Sequence, residues 1–404
     1  MAKQVTIIGA GPAGLMAAEY LARGGMSVDI WDAMPSAGRK LLMAGRGGLN
    51  ISHHEPWEDF VAHYGGSAAW LRPALQAMGP DEVVRWMEGL GIPSLTGSSG
   101  RIFPACMKAA PLLRAWLQRL LACGVRFHMR HRWLGWNDEG ENRLLGPEGE
   151  IRVRTDHTLL ALGGGSWSRL GSRGDWVDYL QARGVQVNPL MPANCGVNIA
   201  WSQHLVGHFA GAPIKHVRLG IEDATGVMQQ SRGELVLTRH GLEGSCLYAL
   251  VPYVRESLSR QGHARLVMDL LPDHDASLLE RRLADDWGKA STSSMLKKRL
   301  GVTGVKAALL HEGWSLPRGA ADAIAGRLKC LPVDVASLRP LDEAISTAGG
   351  IARSALDDHY RLLALPSVSA AGEMLDWEAP TGGYLLTACL ATGRAAAMGI
   401  MEHQ

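Results

Sequence analysis

The chain has 404 residues, enough for two or three domains with a large core, and 47% hydrophobic with 20% charged residues is ordinary for a folded protein. A formal net charge of +2 argues against a broad nucleic-acid or membrane-binding surface. The six cysteines, Cys106, Cys123, Cys195, Cys246, Cys330 and Cys389, show neither C-x-x-C spacing nor a His/Cys cluster. Disulfides and a structural metal are therefore not expected, and free thiols in a reducing, cytoplasmic setting are. No leader is expected before the first strand, and no apolar run is read as long enough to span a membrane. The densest basic runs, Arg281-Arg282 and Lys297-Lys298-Arg299, read as solvated helix faces.

Residues 5–32, VTIIGAGPAGLMAAEYLARGGMSVDIWD, carry the strongest motif. Val5 to Ile8 is a short apolar strand, Gly9, Gly11 and Gly14 fit G-x-G-x-x-G around Pro12 and Ala13, and Leu15 to Ala22 reads as a helix. A second strand, Val28 to Trp31, ends at Asp32, 18 positions beyond Gly14, and Ala33 follows. Gly9 permits the turn out of the strand, Gly11 lets a pyrophosphate approach the backbone, and Gly14 lets helix and sheet pack closely. The helix N-terminus presents unpaired N–H groups to phosphates, and Asp32 stands where a carboxylate can accept from a ribose diol. This is a dinucleotide-binding unit, and by itself it leaves FAD and NAD both open.

A glycine-rich stretch, Ser36 to Asn50, comes next and reads as a loop. Arg39, Lys40 and Arg46 place cations behind the phosphate site, with Gly45 and Asn50 wrapping a long cofactor. Helices are predicted over 57–64, 67–77, 80–90 and 110–123, and a short strand and turn over 100–104. A strand restarts at Gly124-Val125, where backbone contact to an adenine is expected at Val125. Residues 151–165 run as a strand into Gly163-Gly164-Gly165, a crossover turn beside the cofactor.

Asn188 to Pro192 reads as a domain boundary. We expect residues 1–189 and 341–404 to form one discontinuous α/β domain, with 190–340 inserted, β-rich over 190–270 and helical over 271–340. Candidate strands of the insert are Lys215–Ile221, Glu234–Thr238 and Ala264–Met268. In the last segment, Ser369 to Asp376 reads as a strand ending with Gly372, Glu373 and Asp376. Thr381-Gly382-Gly383-Tyr384 then opens a helix running from about Leu385 to Met401. A glycine pair at a helix start is a second anion site, suited to the charge that a reduced flavin carries near N1. A cofactor held by both ends of the chain suits FAD better than NAD.

These stretches resemble a family of bacterial FAD-dependent oxidoreductases, the aminoacetone-oxidase-like and BaiN-like flavoproteins. The resemblance is carried by GAGPAGLMAA, AGRKLLMAGRGGLNIS, GRIFPACMKAA, LLALGGGSWSRLGSRGD, GELVLTRHGLEG, STAGGI and AGEMLDWEAPTGGY, spread over nearly the whole chain. It implies a two-dinucleotide-binding, Rossmann-like FAD domain interrupted by a barrel-like β domain and a helical part. It also implies that Gly9, Gly11, Gly14, Asp32, Arg39, Lys40, Gly372, Glu373, Asp376, Gly382, Gly383 and Tyr384 lie on or near FAD. Where the family usually has Arg-Cys-Asn, this chain has Gly48-Leu49-Asn50, so a role of that Arg or Cys is missing here.

Flavin chemistry requires no protein acid or base. His53, with Asn50, is a candidate beside the flavin, and Arg239 and His240 stand at a strand end of the insert. Trp167 and Trp377 flank glycine turns, where stacking on a ring competes with core packing. The expected activity is hydride transfer between a small molecule and FAD. NAD(P)H is a possible transient donor, and oxidation of a small amine or amino ketone is the alternative. No second dinucleotide motif is present. Action on tRNA or another macromolecule would need a basic face, which the charge does not supply, and a non-catalytic flavin-binding protein is the remaining reading. Neither a nucleic-acid nor a membrane partner is expected, and the oligomeric state has no sequence signal.

Overall fold

The computed structural model describes residues 2–45, 47–284, 287–315 and 318–402. The chain forms two compact units, Met1–Pro192 with Leu341–Gln404, and Ala193–Pro340.

The first unit is built on a sheet whose five principal strands are β1 (Gln4–Ile8), β2 (Ser27–Asp32), β3 (Arg126–Met129), β4 (His157–Leu160) and β5 (Leu365–Ala370). Their spatial order is β3-β2-β1-β4-β5, all parallel, with the two-residue strand Arg361–Leu362 antiparallel at the edge. This is the doubly wound order, in which the chain reverses direction beside β1 and leaves a crevice at the carboxyl ends of β1 and β4. The burial of both faces explains why β1 does not alternate between apolar and polar: Val5, Ile7 and Ile8 are buried, with Thr6 buried between them. The connection from β3 to β4 is a three-stranded antiparallel sheet, Arg132–Trp136, Asn142–Gly146 and Gly149–Val153, in place of a helix.

Helices α1 (Pro12–Arg23), α2 (Arg39–Ala44), α3 (Ala68–Ala77), α4 (Ala109–Ala122) and α5 (Tyr384–Glu402) surround the sheet. The stretch read as a loop thus contains α2. Gly38, at φ 67°, starts it and Gly45 stops it, and the intervening RKLLMA is made of good helix formers. Ser369 to Asp376 is likewise not one strand: β5 ends at Ala370, and Gly372–Met374 is a 3-10 turn.

The reading that no apolar run approaches a membrane span needs correction. α5 has 19 residues and a mean hydropathy of 1.3, enough by length and composition, but 61% of that window is buried in the protein. It packs on α1 and α3, and a Cβ at Gly393 would stand 2.3 Å from the Ala13 carbonyl oxygen. Small residues bring this helix against α1, so its apolarity is core burial.

The second unit is an antiparallel sheet of seven strands. Its order is Leu331–Val335, Ala264–Asp269, Pro213–Glu222, Met228–Leu237, Gly241–Glu243, Val197–Asn198, Ser337–Leu338. The two edge strands are separated in the chain by Ala336 alone, so the sheet curls until its edges adjoin, giving the barrel-like form. Helices Ala276–Leu283, Gly304–His311 and Ala321–Lys329 follow, but the chain returns to the sheet from Leu331, so 271–340 is not helical throughout. This unit has its own core around Val217, Leu219, Leu266 and Leu309.

Candidate functional site

A cleft opens at the carboxyl ends of β1 and β4. Gly9, Gly11, Pro12, Ala13, Asp32, Ala33, Arg39, Lys40, Gly163, Gly372 and Glu373 line it, as do Trp31, His131, Arg132, Trp133 and Ser172. The glycines divide the work as their spacing implies. A Cβ at Gly9 (φ +110°) would lie 2.2 Å from the Ala161 carbonyl oxygen, and one at Gly14 would lie 2.0 Å from the Gly9 carbonyl oxygen. Both are needed for close packing. A Cβ at Gly11 meets no atom within 4 Å, so its missing side chain opens the cleft itself. Gly11 is the N-cap of α1, without a side-chain cap and with Pro12 in the first position, so the helix start faces the cleft with unpaired N–H groups.

Asp32 ends β2 and is tied down on both oxygens. Oδ2 accepts the Ala10 N–H and Oδ1 the Met34 N–H, each at 2.7 Å. Burial raises its pKa above the ordinary carboxylate value, against the pull of those two bonds and of Arg39. Lys40, on α2, donates to Ser166 Oγ and Glu373 Oε2, both at 2.7 Å, and Glu373 Oε1 accepts the Thr347 N–H at 3.1 Å. Gly372 (φ +82°) lets the loop run against Ala13, where a Cβ would stand 2.7 Å away. Cys389 of α5 also lines the cleft, and burial and the nearby Glu373 push its thiol up to about 12 despite Lys40. It stays protonated at neutral pH.

The remaining residues divide into two groups. Gly382, Gly383 and Tyr384 lie with Asn50 and His53 around the start of α5. Gly382 and Gly383 have φ of 137° and 98°, and a Cβ at Gly383 would meet the Ser52 backbone at 2.5 Å. The Tyr384 hydroxyl donates to Glu55 at 2.7 Å, His63 Nε2 stands 3.3 Å from the same carboxylate, and the His53 ring stacks on Tyr384 with centroids 5.4 Å apart. Burial, with Glu55 beside it, raises the Tyr384 pKa well above its ordinary value. No acidic residue stands in the first turn of α5, which leaves its positive end for an anion.

Other candidates are structural or lie elsewhere. Val125 is buried and its N–H is given to the Leu120 carbonyl; His131 to Trp133, beyond β3, line the cleft instead. Gly45 packs on Ala109, and Asp376 accepts from Asn188 Nδ2 at 2.6 Å. Leu49 is fully buried, so the position of the family's Cys is a core position here. Trp377 is in the core with its Nε1 on the Gly372 carbonyl, and Trp167 is partly buried with Arg169 over its ring. Arg239 and His240 are exposed in the turn between Met228–Leu237 and Gly241–Glu243 of the second unit. The cleft residues that the sequence reading missed, Trp31, Ser172 and His131–Trp133, come from β2 and from two segments after β3 and β4. Ser172 lies within the LLALGGGSWSRLGSRGD stretch, where Gly171 before it and Gly174 after it are its only local signal.

The residues fit a long dinucleotide on a structural test. Among the described residues, three buried polar atoms of the cleft lining have no hydrogen-bond partner: Trp31 Nε1, Arg39 Nε and Ser172 Oγ. Two more, Asn50 Oδ1 and His53 Nδ1, belong to the group at the α5 start. Buried polar atoms are seldom left so, and the three of the cleft lining, Trp31 Nε1, Arg39 Nε and Ser172 Oγ, fit a polar ligand bound in the cleft.

Among solved structures, the chain resembles an open-conformation flavocytochrome c3 fumarate reductase, with 17% identity and a TM-score of 0.54 over 100% of this chain and 78% of that one. It also resembles the 3-ketosteroid delta1-dehydrogenase of Sterolibacterium denitrificans, with 13% identity and a TM-score of 0.54 over 100% of both chains. At such identities the likeness is one of fold. A 54-residue stretch is 43% identical to a D-amino acid dehydrogenase of Dechloromonas aromatica (strain RCB), covering 13% of each chain. The family described as HI0933-like protein Rossmann domain matches residues 3–399. The chain therefore belongs to the HI0933-like Rossmann flavoproteins, a bacterial family of FAD-dependent oxidoreductases.

Proposed function

We propose that the chain binds FAD along the cleft and transfers hydride between a small-molecule substrate and the flavin, with NAD(P)H as the transient electron donor. The observation that carries this reading is the uncapped α1 start at Gly11, with open space where a side chain would be and Asp32 beside it. The α1 N–H groups hold the diphosphate, and the free lone pairs of Asp32 accept from ribose hydroxyls. Bound there, FAD supplies the hydride acceptor and donor. The α5 start, through Gly382 and Gly383, offers N–H groups to negative charge on the ring. Tyr384 remains a phenol on Glu55 and fixes that end of the site. His53 is the candidate proton carrier of the first unit.

A near-neutral charge supports a small molecule over a nucleic acid, and the burial of α5 supports a site away from membranes. Among the described residues all six cysteines are free, which supports a cytoplasmic setting. The second reading, oxidation of a small amine or amino ketone, draws on the short match to the D-amino acid dehydrogenase.

The purified protein tests both. Its visible spectrum is recorded, and NADH and NADPH are added separately without oxygen. Bleaching of the flavin by either nucleotide supports the reductase. A flavin untouched by both, but reduced by an amine, an amino ketone or a D-amino acid, supports the second reading. No flavin after incubation with FAD overturns both.

A further inference from the structure

The first unit carries a second cavity, of about 640 Å3, at the C-terminal half of α1, within the size range of small-molecule sites. Four guanidinium groups line it: Arg23 from α1, Arg85 from the helix Pro80–Gly89, Arg119 from α4 and Arg394 from α5. Two carboxylates, Glu19 and Glu82, stand among them.

Those carboxylates are already committed. Glu19 is 1% exposed; its Oε2 accepts the indole N–H of Trp116 at 2.8 Å and of Trp86 at 3.1 Å, and its Oε1 accepts Arg119 Nη1 at 2.9 Å. Glu82 is paired with Arg85. Arg23 reaches Glu19 only at 3.7 Å, with a side chain 63% exposed. Arg394 is partly buried, and its partner among the described residues is the face of Tyr20, 5.1 Å away. Two positive charges are therefore left over in one cavity, on side chains whose planar forks match tetrahedral and planar oxyanions. A partly buried guanidinium on an aromatic face, without a carboxylate, is stabilised by an anion arriving from solution.

We propose that this cavity binds a small phosphate-bearing anion, held by Arg23 and Arg394, with a dianionic phosphate matching the excess of two charges. This site is separate from the FAD cleft and does not depend on the substrate reading above.

The test is isothermal titration of the FAD-loaded protein with inorganic phosphate and with ADP, adenosine being the uncharged control. Loading with FAD keeps the probes out of the nucleotide cleft. Binding of phosphate, ADP or both is expected, with adenosine silent, and at about 10 mM ligand a millimolar site is filled. In Arg23→Gln/Arg394→Gln the affinity falls at least about tenfold while the flavin spectrum is unchanged. Should the double variant not hold flavin, Arg23→Gln alone, at an exposed position, is read against a threefold loss. The proposal is overturned by no binding of either phosphate probe to the parent protein, by equal binding of adenosine, or by affinities in the variant within those limits of the parent.

Discussion

Asp32 Oδ2 accepts the backbone N–H of Ala10 at 2.7 Å, so the residue that ends the second strand holds the turn that leaves the first. Its other oxygen holds the Met34 N–H at the same distance. The acidic residue of the dinucleotide motif is therefore a brace for the glycine turn, in addition to the ribose-accepting role proposed for it. Position 32 shapes the cleft before any ligand arrives.

Asp32→Ala is expected to act on both counts. Leaving the Ala10 and Met34 N–H groups without acceptors costs about 1–3 kcal/mol of stability, and FAD retention falls. Asp32→Asn keeps one oxygen acceptor and is expected to lie between the two. Chemical denaturation of the apoprotein, together with flavin content, separates the contributions. Unchanged apoprotein stability in Asp32→Ala would mean the brace has no energetic weight.

Gly11 and Gly14 are expected to fail in different ways. Gly11 has φ −83° and ψ −179°, extended backbone that any residue adopts, and its Cβ would meet nothing. Gly11→Val is predicted to fold with a denaturation midpoint close to that of the parent apoprotein and to purify without flavin. At Gly14 the Cβ would lie 2.0 Å from the Gly9 carbonyl oxygen, so Gly14→Val is predicted to lose about 3 kcal/mol or more of fold stability. Full flavin content in Gly11→Val would contradict the placing of the diphosphate.

The contrast between these glycines shows what was legible in the chain. The order strand, glycine turn, helix, strand and acid is set by neighbours in sequence, so β1, α1 and β2 could be read directly, with Gly9, Gly11, Pro12, Ala13 and Asp32 of the cleft but without Trp31. The helix starting at Tyr384 was equally local. Val125 was misleading because a strand beside the nucleotide unit was assumed to turn its backbone to the ligand. Here β3 is the outermost strand, and the cleft wall is made by His131 to Trp133 after it. Lys40, Ser166 and Glu373 meet across separations that no local pattern encodes. The α2 helix was obscured by flanking glycines that read as loop but serve as its start and stop.

The Lys40–Glu373 pair is a long-range contact in the cleft, with side chains 29% and 12% exposed. Removing one partner leaves the other partly buried and uncompensated. Lys40→Met and Glu373→Leu are each predicted to destabilise the apoprotein by about 1–3 kcal/mol, discounted for the partial exposure of the lysine. The double variant is predicted to lose less than the two singles together, by about 1 kcal/mol or more. Additive losses in that double-mutant cycle would show that the pair is not coupled.

Acid sensitivity has an identifiable source in His157, on the central strand β4, with its Nε2 2.9 Å from Ser369 Oγ. Burial, with Arg361 and Lys3 nearby, pushes its pKa down to about 4 from 6.5. The unfolded chain therefore binds a proton in a range where the folded chain does not. Stability associated with the neutral ring is fully present above pH about 6.5 and is lost as pH falls towards about 4, where the loss levels off. The shift corresponds to about 3 kcal/mol. Asp29 works in a lower window: burial pushes its pKa up, but the bonds from Arg126, His128 and Gln4 outweigh this and bring it to about 2 from 3.8, so its contribution is lost only below pH about 3.8. His157→Gln is therefore predicted to flatten the stability profile between pH 6.5 and 4 and to leave the fall below pH 3.8 in place. Denaturant midpoints across that range check it, and an unchanged slope between pH 6.5 and 4 would assign the acid sensitivity to another group.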